Sequence, residues 1–289
     1  MTTQLAPDVA SFAPALAGAG EPEVRPAGVI GKVARYQARD VARSRWLAAY
    51  ALFFALVTEA LLRFAGADAR SILSLATVVL YVVPLVTLVF GTIYLYNARE
   101  FIELLLAQPV ARGRLFNGLY LGLALPLALA VAVRVGGPFL LHGLAAPGQG
   151  AMLGALLGVA VALTGIFTAI AFCIALWADD RLKGLGTAIG VWMLGAIVYD
   201  GLVLAAVAAF ADYPLERPLL VLILANPIDL ARVVMLLQLD VSALMGYTGA
   251  VFQQFLGGLT GTLAAAAALA LWLAAPLALG LRTFRRKDF

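Results

Sequence analysis

Few side chains in this sequence are placed to make or break covalent bonds. Cys173 is the only cysteine and His142 the only histidine among the 289 residues, so one copy cannot build a disulfide or a Cys/His metal site. The five methionines are dispersed and form no copper-binding set. The densest ionisable group, Asp179-Asp180-Arg181, fits a lipid-modifying membrane enzyme less well than a solvated loop. We therefore expect no catalytic residue, no metal and no bound cofactor.

Residues 98–108 form a second candidate, because charged and apolar side chains alternate there at helical spacing. The polar side holds Arg99, Glu100 and Glu103, and the opposite side holds Phe101, Leu104 and Leu105. The helix should reach Gln108, since Pro109 ends it. Two interpretations fit its apolar side: burial against the protein's own helices, or docking in a groove on a soluble partner.

Ionisable residues inside apolar runs are the third candidate. Asp200 lies about 22 Å from the start of its run at 1.5 Å per residue, where a charge is costly and faces a cavity or a partner. It either lines a path across the membrane or pairs with Arg134 or Arg217. Glu59 and Arg63 are four residues apart and should pair with each other.

Residues 211–258 are too irregular for a simple span. Residues 218–225 are apolar but only about half as long as a membrane crossing requires, which favours a re-entrant or interfacial hairpin. Asn226 and Pro227 are typical of a helix start, and Asp229 and Arg232 are spaced to pair on one face of that helix. We expect these four residues to have a structural role.

The elements that position these candidates are membrane spans. The chain is 63% hydrophobic and 12% charged, with a mean hydropathy of +0.98, far more apolar than a soluble domain. A span needs about 20 apolar residues, and runs near that length occur at 46–62, 72–96, 115–133, 152–177, 185–210 and 259–281. The sequence thus predicts an all-α polytopic membrane protein with six transmembrane helices.

The basic residues predict the orientation of these spans. With the N-terminus inside, fifteen of the twenty Lys and Arg residues fall in cytoplasmic segments. The other five are Arg63, Arg70, Arg134, Arg217 and Arg232. Cytoplasmic loops carry the excess of basic residues, so both termini should be cytoplasmic. The basic residues form no dense tract of the kind that binds nucleic acid.

The residues before the first span divide into two parts. Residues 1–28 are rich in Ala, Pro and Gly without a basic start, which predicts a disordered cytoplasmic tail rather than a signal peptide. In residues 29–45, Lys32, Arg35, Arg39 and Arg43 recur at helical spacing. This pattern predicts an amphipathic interfacial helix whose apolar side enters the acyl boundary of the bilayer.

Glycines also recur one helical turn apart within the spans. The pairs are Gly154 with Gly158, Gly186 with Gly190, and Gly257 with Gly261. Small residues at this spacing let membrane helices approach closely. We expect the pairs to pack within one bundle; the alternative is a seam between two copies.

Taken in order, these segments resemble type-2 ABC exporter permeases. The matching residues are the run Glu100-Phe-Ile-Glu-Leu-Leu-Leu-Ala-Gln-Pro-Val-Ala-Arg112, the amphipathic entry ending at Trp46, and the six-span layout. Asn226-Pro-Ile-Asp-Leu-Ala-Arg232 resembles a step of one branch, the permeases that help to mature nitrous oxide reductase. Residues 46–289 would then form the permease domain.

The resemblance implies a homodimeric half-transporter in the cytoplasmic membrane that binds separate ATPase subunits. Residues 99–112 would couple to the ATPase; many family members have Gly-Thr after the coupling glutamate, so either Glu100 or Glu103 matches it. The sequence has no G-x-x-x-x-G-K-[ST] loop, consistent with ATP and Mg bound by the partner. A periplasmic accessory protein is a further expected partner. The alternative function is a non-transporting anchor that transmits ATPase work to an outer partner.

Overall fold

A computed structural model describes residues 26–66, 68–108, 110–142, 148–210, 216–237 and 259–287. The helices in these ranges are α1 (Pro26–Ala42), α2 (Arg45–Ala65), α3 (Ala69–Asn97), α4 (Arg99–Leu106), α5 (Arg112–His142), α6 (Gln149–Trp177), α7 (Arg181–Met193), α8 (Tyr199–Ala209), α9 (Glu216–Leu224), α10 (Pro227–Leu237) and α11 (Leu259–Arg286), with a π-helical turn at Leu194–Val198 between α7 and α8. The described ranges contain no strand.

Within the described residues, six helical stretches are long and apolar enough to cross a membrane. They are α2, α3, α5, α6, the continuous stretch Arg181–Ala209 formed by α7, the π turn and α8, and most of α11. The prediction of an all-α protein with six transmembrane helices is therefore confirmed. The short helix α4 lies at one end of this bundle, hereafter the α4 end, where α3, α6 and α11 end and α5 and α7 begin.

The core of the bundle is α6, which is apolar on all sides and packs against α3, α5 and α11. Near the α4 end, the Phe116 ring packs on two others. Its centroid lies 5.8 Å from that of Phe172 and 5.5 Å from that of Phe284. All three are fully buried. These rings join α5, α6 and α11 beside the place where α4 attaches.

Close helix approaches occur at glycines other than the predicted pairs. A Cβ at Gly91 of α3 would lie 2.8 Å from Cβ of Ala171 in α6. In contrast, the predicted residues Gly154, Gly158, Gly186 and Gly190 are exposed, and a Cβ added at any of them would meet nothing within 4 Å. The prediction that these pairs pack inside the bundle is wrong, because the spacing marks a smooth helix face without specifying its partner. Gly257 lies outside the described residues.

The N-terminal helix α1 starts and ends three residues earlier than the sequence predicted. Pro26 begins it, as the fixed φ of proline permits in a first helical turn. Ser44 then caps α2, its Oγ accepting a hydrogen bond from Leu47 N at 3.3 Å. Of the predicted tail 1–28, residues 1–25 lie outside the described residues.

The side of α1 that was expected to enter the acyl boundary packs on α5 instead. A Cβ at Gly118 would lie 2.8 Å from Cγ1 of Val33, and one at Gly122 would lie 2.6 Å from Cβ of Gln37. Gln37 is buried, and its Oε1 accepts a 2.8 Å hydrogen bond from the Tyr94 hydroxyl of α3. The polar residue that interrupts the apolar side is therefore satisfied inside the protein.

The α9 and α10 helices form the bent pair that the irregular outer sequence predicted. Their axes, measured over Pro218–Leu224 and Pro227–Leu236, meet at 109°. The Nε1 of Trp272 in α11 donates to Leu224 O at 2.9 Å, and the Tyr199 hydroxyl donates to Leu222 O at 2.6 Å. The tryptophan bond satisfies a carbonyl in the last turn of α9, and the tyrosine bond adds a second donor to the Leu222 carbonyl, which also accepts from Ala225 N at 3.2 Å. Side chains of neighbouring helices thus bond to the backbone where the chain bends. Residues 211–215 and 238–258 lie outside the described residues.

We predict that Gly122→Ala destabilises the protein by about 1–3 kcal/mol, because the new methyl group overlaps Gln37 and overpacking costs that much. The matched control is Gly31→Ala on α1, where nothing lies within 4 Å and alanine favours the helix by about 1 kcal/mol. Thermal unfolding of the purified protein measures both. Equal midpoints for the two variants would contradict the α1–α5 packing.

Candidate functional site

The helix α4 is a short amphipathic segment anchored through one apolar residue. Ile102 is fully buried, whereas Leu104 is 70% exposed. Phe101 and Leu105 are half-buried against the core, and the Phe101 ring stacks on Tyr36 of α1 with centroids 6.0 Å apart. Ile102 therefore packs α4 on the protein's own bundle, as the first interpretation from the sequence expects, and Leu104 stays exposed.

The charged residues of the segment separate into two groups. Glu100, Glu103 and Gln108 are exposed, and no hydrogen bond or ion pair from their side chains occurs within the described residues. Arg99 turns toward the protein. The helix ends at Leu106, two residues before the predicted end at Gln108; Pro109 lies outside the described residues. The exposed acids and Leu104 thus form one surface, which we call the α4 face (Glu100, Glu103, Leu104).

Arg99 fixes the start of α4 to the end of α6. Its guanidinium donates to the carbonyls of Asp179 at 3.2 Å, Ala178 at 3.4 Å and Ala175 at 3.5 Å. It also lies 4.6 Å from the centroid of the Tyr96 ring, and the Tyr96 hydroxyl donates to Ala178 O at 2.7 Å. The last carbonyls of a helix lack intrahelical partners and carry partial negative charge, so a cation there satisfies them and stabilises the helix end.

Tyr96 also binds the start of α7. A Cβ at Gly184 would overlap the Tyr96 ring, so only glycine permits this approach. Tyr96 and Arg99 therefore hold α3, α4, α6 and α7 together on one side of the α4 end.

Arg112 and Lys287 make the same kind of contact on the other side of α4. Arg112 Nη1 donates to the carbonyls of Arg285 at 3.1 Å and Lys287 at 2.8 Å, at the end of α11. Lys287 Nζ donates to Leu176 O at 2.6 Å and to Asp179 Oδ1 at 2.9 Å. This hydrogen bond and the nearby ammonium hold the pKa of Asp179 below its ordinary value.

Arg99, Arg112 and Lys287 form what we call the basic clamp. It connects both ends of the 99–112 segment to the ends of α6 and α11, and joins those two ends to each other. In the sequence, Lys287 contributed only to the count of basic residues, and Arg112 was in addition the last residue of the proposed coupling run. The position of Lys287 at the end of a helix was the available signal, since basic side chains there bind the last carbonyls.

A second polar group lies near the other end of the bundle and centres on Arg232 of α10. Arg232 binds Asp200 with Nη2 to Oδ2 at 2.9 Å and Nη1 to Oδ1 at 3.2 Å. Its Nη1 also donates to Asp229 Oδ1 at 2.9 Å, and Nη2 to the Tyr81 hydroxyl at 3.1 Å. The predicted Asp229–Arg232 pair is confirmed, as is the exposed Glu59–Arg63 pair at 2.7 Å.

Asp200 has a different partner from either of those that the sequence suggested. It pairs with Arg232, because α10 folds back against α3 and α6 and carries Arg232 to the span that holds Asp200. Among the described side chains Arg134 makes no ion pair with it, and the side chain of Arg217 lies outside those described. The order of the residues in the sequence does not show that α10 folds back in this way. Asp200 and Arg232 are each one-third exposed, so the pair is accessible without being fully solvated.

Asn226 joins the bend in the outer segment to the π turn. Its Oδ1 accepts from Ile228 N at 3.0 Å, which caps α10 with Pro227 in its first position. Its Nδ2 donates to Gly195 O at 2.8 Å, within Leu194–Val198, and to Asp229 Oδ2 at 3.0 Å. We call Tyr81, Asp200, Asn226, Asp229 and Arg232 the outer cluster. It contains two carboxylates and one guanidinium.

Within the described residues, no three His, Cys, Asp or Glu side chains converge on a point that could hold a metal ion. Cys173, the single thiol, donates to Pro276 O at 3.0 Å between α6 and α11.

We predict that Arg232→Gln destabilises the protein by about 2 kcal/mol, because two adjacent carboxylates lose their counterion. The value lies below the roughly 3–5 kcal/mol of a broken buried pair since the pair is one-third exposed. Adding Asp200→Asn to Arg232→Gln should restore part of the loss, which a double-mutant cycle of unfolding free energies measures.

Arg63→Gln serves as the control, since its exposed pair with Glu59 should contribute under about 1 kcal/mol. An Arg232→Gln variant as stable as Arg63→Gln would show that the outer cluster does not stabilise the fold.

Comparison with known proteins agrees with this architecture. The model of a family described as "ABC-2 family transporter protein" matches residues 32–289. "Probable ABC transporter permease protein NosY" of Pseudomonas aeruginosa is 30% identical over 280 residues, which cover 90% of this chain and 98% of that protein. The protein of the same name in Stutzerimonas stutzeri is 29% identical over 280 residues, covering 89% and 98%. The chain therefore belongs to the ABC-2 family of transporter proteins.

Proposed function

We propose that this chain is the transmembrane permease subunit of an ATP-driven exporter in the cytoplasmic membrane, and that a separate ATPase subunit binds ATP with Mg and docks on the α4 face. The observation that carries the proposal is that α4 is anchored to the bundle on one side and exposed on the other. Ile102 and Arg99 fix the helix to the bundle, while Glu100, Glu103 and Leu104 stay exposed. A helix with one anchored and one free side is suited to groove docking.

The proposed orientation places the α4 end and both termini in the cytoplasm. Supporting it, the basic residues of 32–45, 99–114, 181–183 and 282–287 all belong to segments at this end. The docking partner would then reach α4 from the side on which ATP is available.

Movement of α4 would pass to the spans through the basic clamp. Because Arg99 and Lys287 both bind carbonyls at the end of α6, and Arg112 binds those of α11, a displacement of α4 acts on these two spans together. The coupling residues that we propose are Arg99, Glu100, Phe101, Glu103, Leu104, Leu105, Gln108, Pro109 and Arg112. Both acids of this set are exposed, so each can serve as the coupling glutamate.

A homodimer of permeases completes the proposal. The open faces at Gly154, Gly158, Gly186 and Gly190 support it, since small residues allow a second transmembrane helix to approach closely. The span Arg181–Ala209 also buries little of its surface within one copy.

For the transported substrate, we propose that Asp200 of the outer cluster borders the exit path. We also propose that the transporter serves maturation of nitrous oxide reductase together with a periplasmic accessory protein. The partial exposure of Asp200 and the sequence of 226–232 support this. The rival function, a non-transporting anchor that transmits ATPase work outward, uses the same α4 face and clamp. A substrate flux assay in proteoliposomes separates the two.

The orientation predicts where fused reporters are active. A cytoplasmic reporter fused after Phe289 should be active, and an alkaline phosphatase inserted after Gly66, between α2 and α3, should be active outside the membrane. The reverse pattern in both fusions would reject the proposed topology.

The docking proposal predicts that Glu100→Lys with Glu103→Lys lowers the amount of ATPase that co-purifies with the permease by about tenfold or more, because unmatched charges at an interface cost several kcal/mol. Both side chains are exposed, so membrane abundance and thermal stability should stay near those of the unchanged protein.

The matched control is Asp68→Lys, an exposed acid at the opposite end of the bundle. It reverses a charge without touching the α4 face and should leave co-purification unchanged. Normal ATPase stoichiometry in the double variant would remove α4 as the principal contact.

A further inference from the structure

A cavity of about 440 Å³ lies at the α4 end, between the start of α5 and the end of α11. Its lining residues are Ala111, Arg112, Gly113, Arg114, Asn117 and Arg285. Three of the six are arginines and none is acidic. The cavity is separate from the α4 face, and only Arg112 also belongs to the basic clamp.

The positive charge of this cavity has no counterion within the described residues. Arg112 uses Nη1 on two backbone carbonyls, and the ion pairs of the described chain involve none of Arg112, Arg114 and Arg285. Three guanidinium groups around one space repel one another. An anion bound between them would remove that repulsion.

Gly113 brings the third arginine close to the other two. A Cβ at this position would lie 3.0 Å from Nη2 and 3.4 Å from Nε of Arg285, so the guanidinium of α11 lies directly over the backbone that joins Arg112 to Arg114. The glycine thus permits a cluster contributed by two spans, of which one begins and the other ends at this level.

The level corresponds to the lipid headgroups, given the orientation under Proposed function on which this inference rests. The lining residues lie at the start of one candidate span, Arg112–His142, and at the end of another, Leu263–Arg286. The headgroup layer of each leaflet is roughly 5–8 Å thick and begins where the spans leave the hydrocarbon. The cavity therefore opens where inner-leaflet phosphates lie.

We propose that this cavity binds the phosphate group of an anionic phospholipid from the inner leaflet. Guanidinium groups match phosphate oxygens with paired N–H donors, and the Asn117 amide can donate to the same group. Basic pockets between spans at the cytoplasmic surface bind such headgroups. A free phosphate has the same chemistry, and the test distinguishes the two sources.

The test is a lipid titration of the purified full-length permease in neutral detergent, without the ATPase. Phosphatidylglycerol should raise the thermal midpoint by about 2–4 °C, whereas phosphatidylcholine and inorganic phosphate at about the millimolar level should not. Arg114→Gln with Arg285→Gln should raise the phosphatidylglycerol concentration for half-maximal stabilisation by about tenfold or more, since each lost charged hydrogen bond contributes at least that factor.

Arg286→Gln is the matched control, because it removes one charge at the same helix end without lining the cavity. It should keep the full response to phosphatidylglycerol. An undiminished response in the double variant would overturn the proposal, as would an equal response to inorganic phosphate, which identifies a site for free anions.

The single variant Arg285→Gln, at an exposed side chain, provides the same measurement if the double variant does not fold. Because the titration omits the ATPase and uses no transport assay, failure of lipid binding leaves the docking proposal standing, and failure of docking leaves this one standing. The reporter fusions test the shared orientation separately.

Discussion

The final carbonyl groups of a transmembrane helix have no partners within the helix, and in this protein their satisfaction organises the whole α4 end. Arg99, Arg112 and Lys287 bind the last carbonyls of α6 and α11. Each of these contacts stabilises a helix end through hydrogen bonds and through the helix dipole. Because the three cations come from different elements, the same bonds that complete the helices also join the 99–112 segment to the spans.

At the opposite end of the bundle, backbone groups also lack regular helical partners, and uncharged side chains bond to them. There the chain bends by 109° between α9 and α10, which interrupts the regular hydrogen bonding of the helices. Trp272, Tyr199 and Asn226 supply the missing donors and acceptors. Irregular backbone is thus tolerated because side chains from neighbouring helices bond to it. The ion pair between Arg232 and Asp200 lies beside these hydrogen bonds.

The sequence predicted the elements of this fold better than their contacts. Long apolar runs identified six spans because backbone groups in lipid require helices of a minimum length, and the Asp229–Arg232 pair followed from helical spacing alone. Ile102 was not identified as the anchor of α4, since amphipathicity assigns sides but not depth. The partner of Asp200 was missed because it depends on how α10 folds back, and four glycines assigned to the bundle face outward. The proposed roles of the coupling residues come from family resemblance and await experiment.

The π turn at Leu194–Val198 makes the fifth span sensitive to chain length in a way that hydropathy does not show. A π turn contains one residue more than an α turn, and removal of that residue would restore a regular helix of almost unchanged apolar character. Because the wide turn absorbs its extra residue locally, the helices on either side face as they would in a regular helix one residue shorter. Deletion of one residue from Leu194–Val198 is therefore expected to leave Asp200 facing Arg232, whereas one further inserted residue would rotate Asp200 by about 100° away from it.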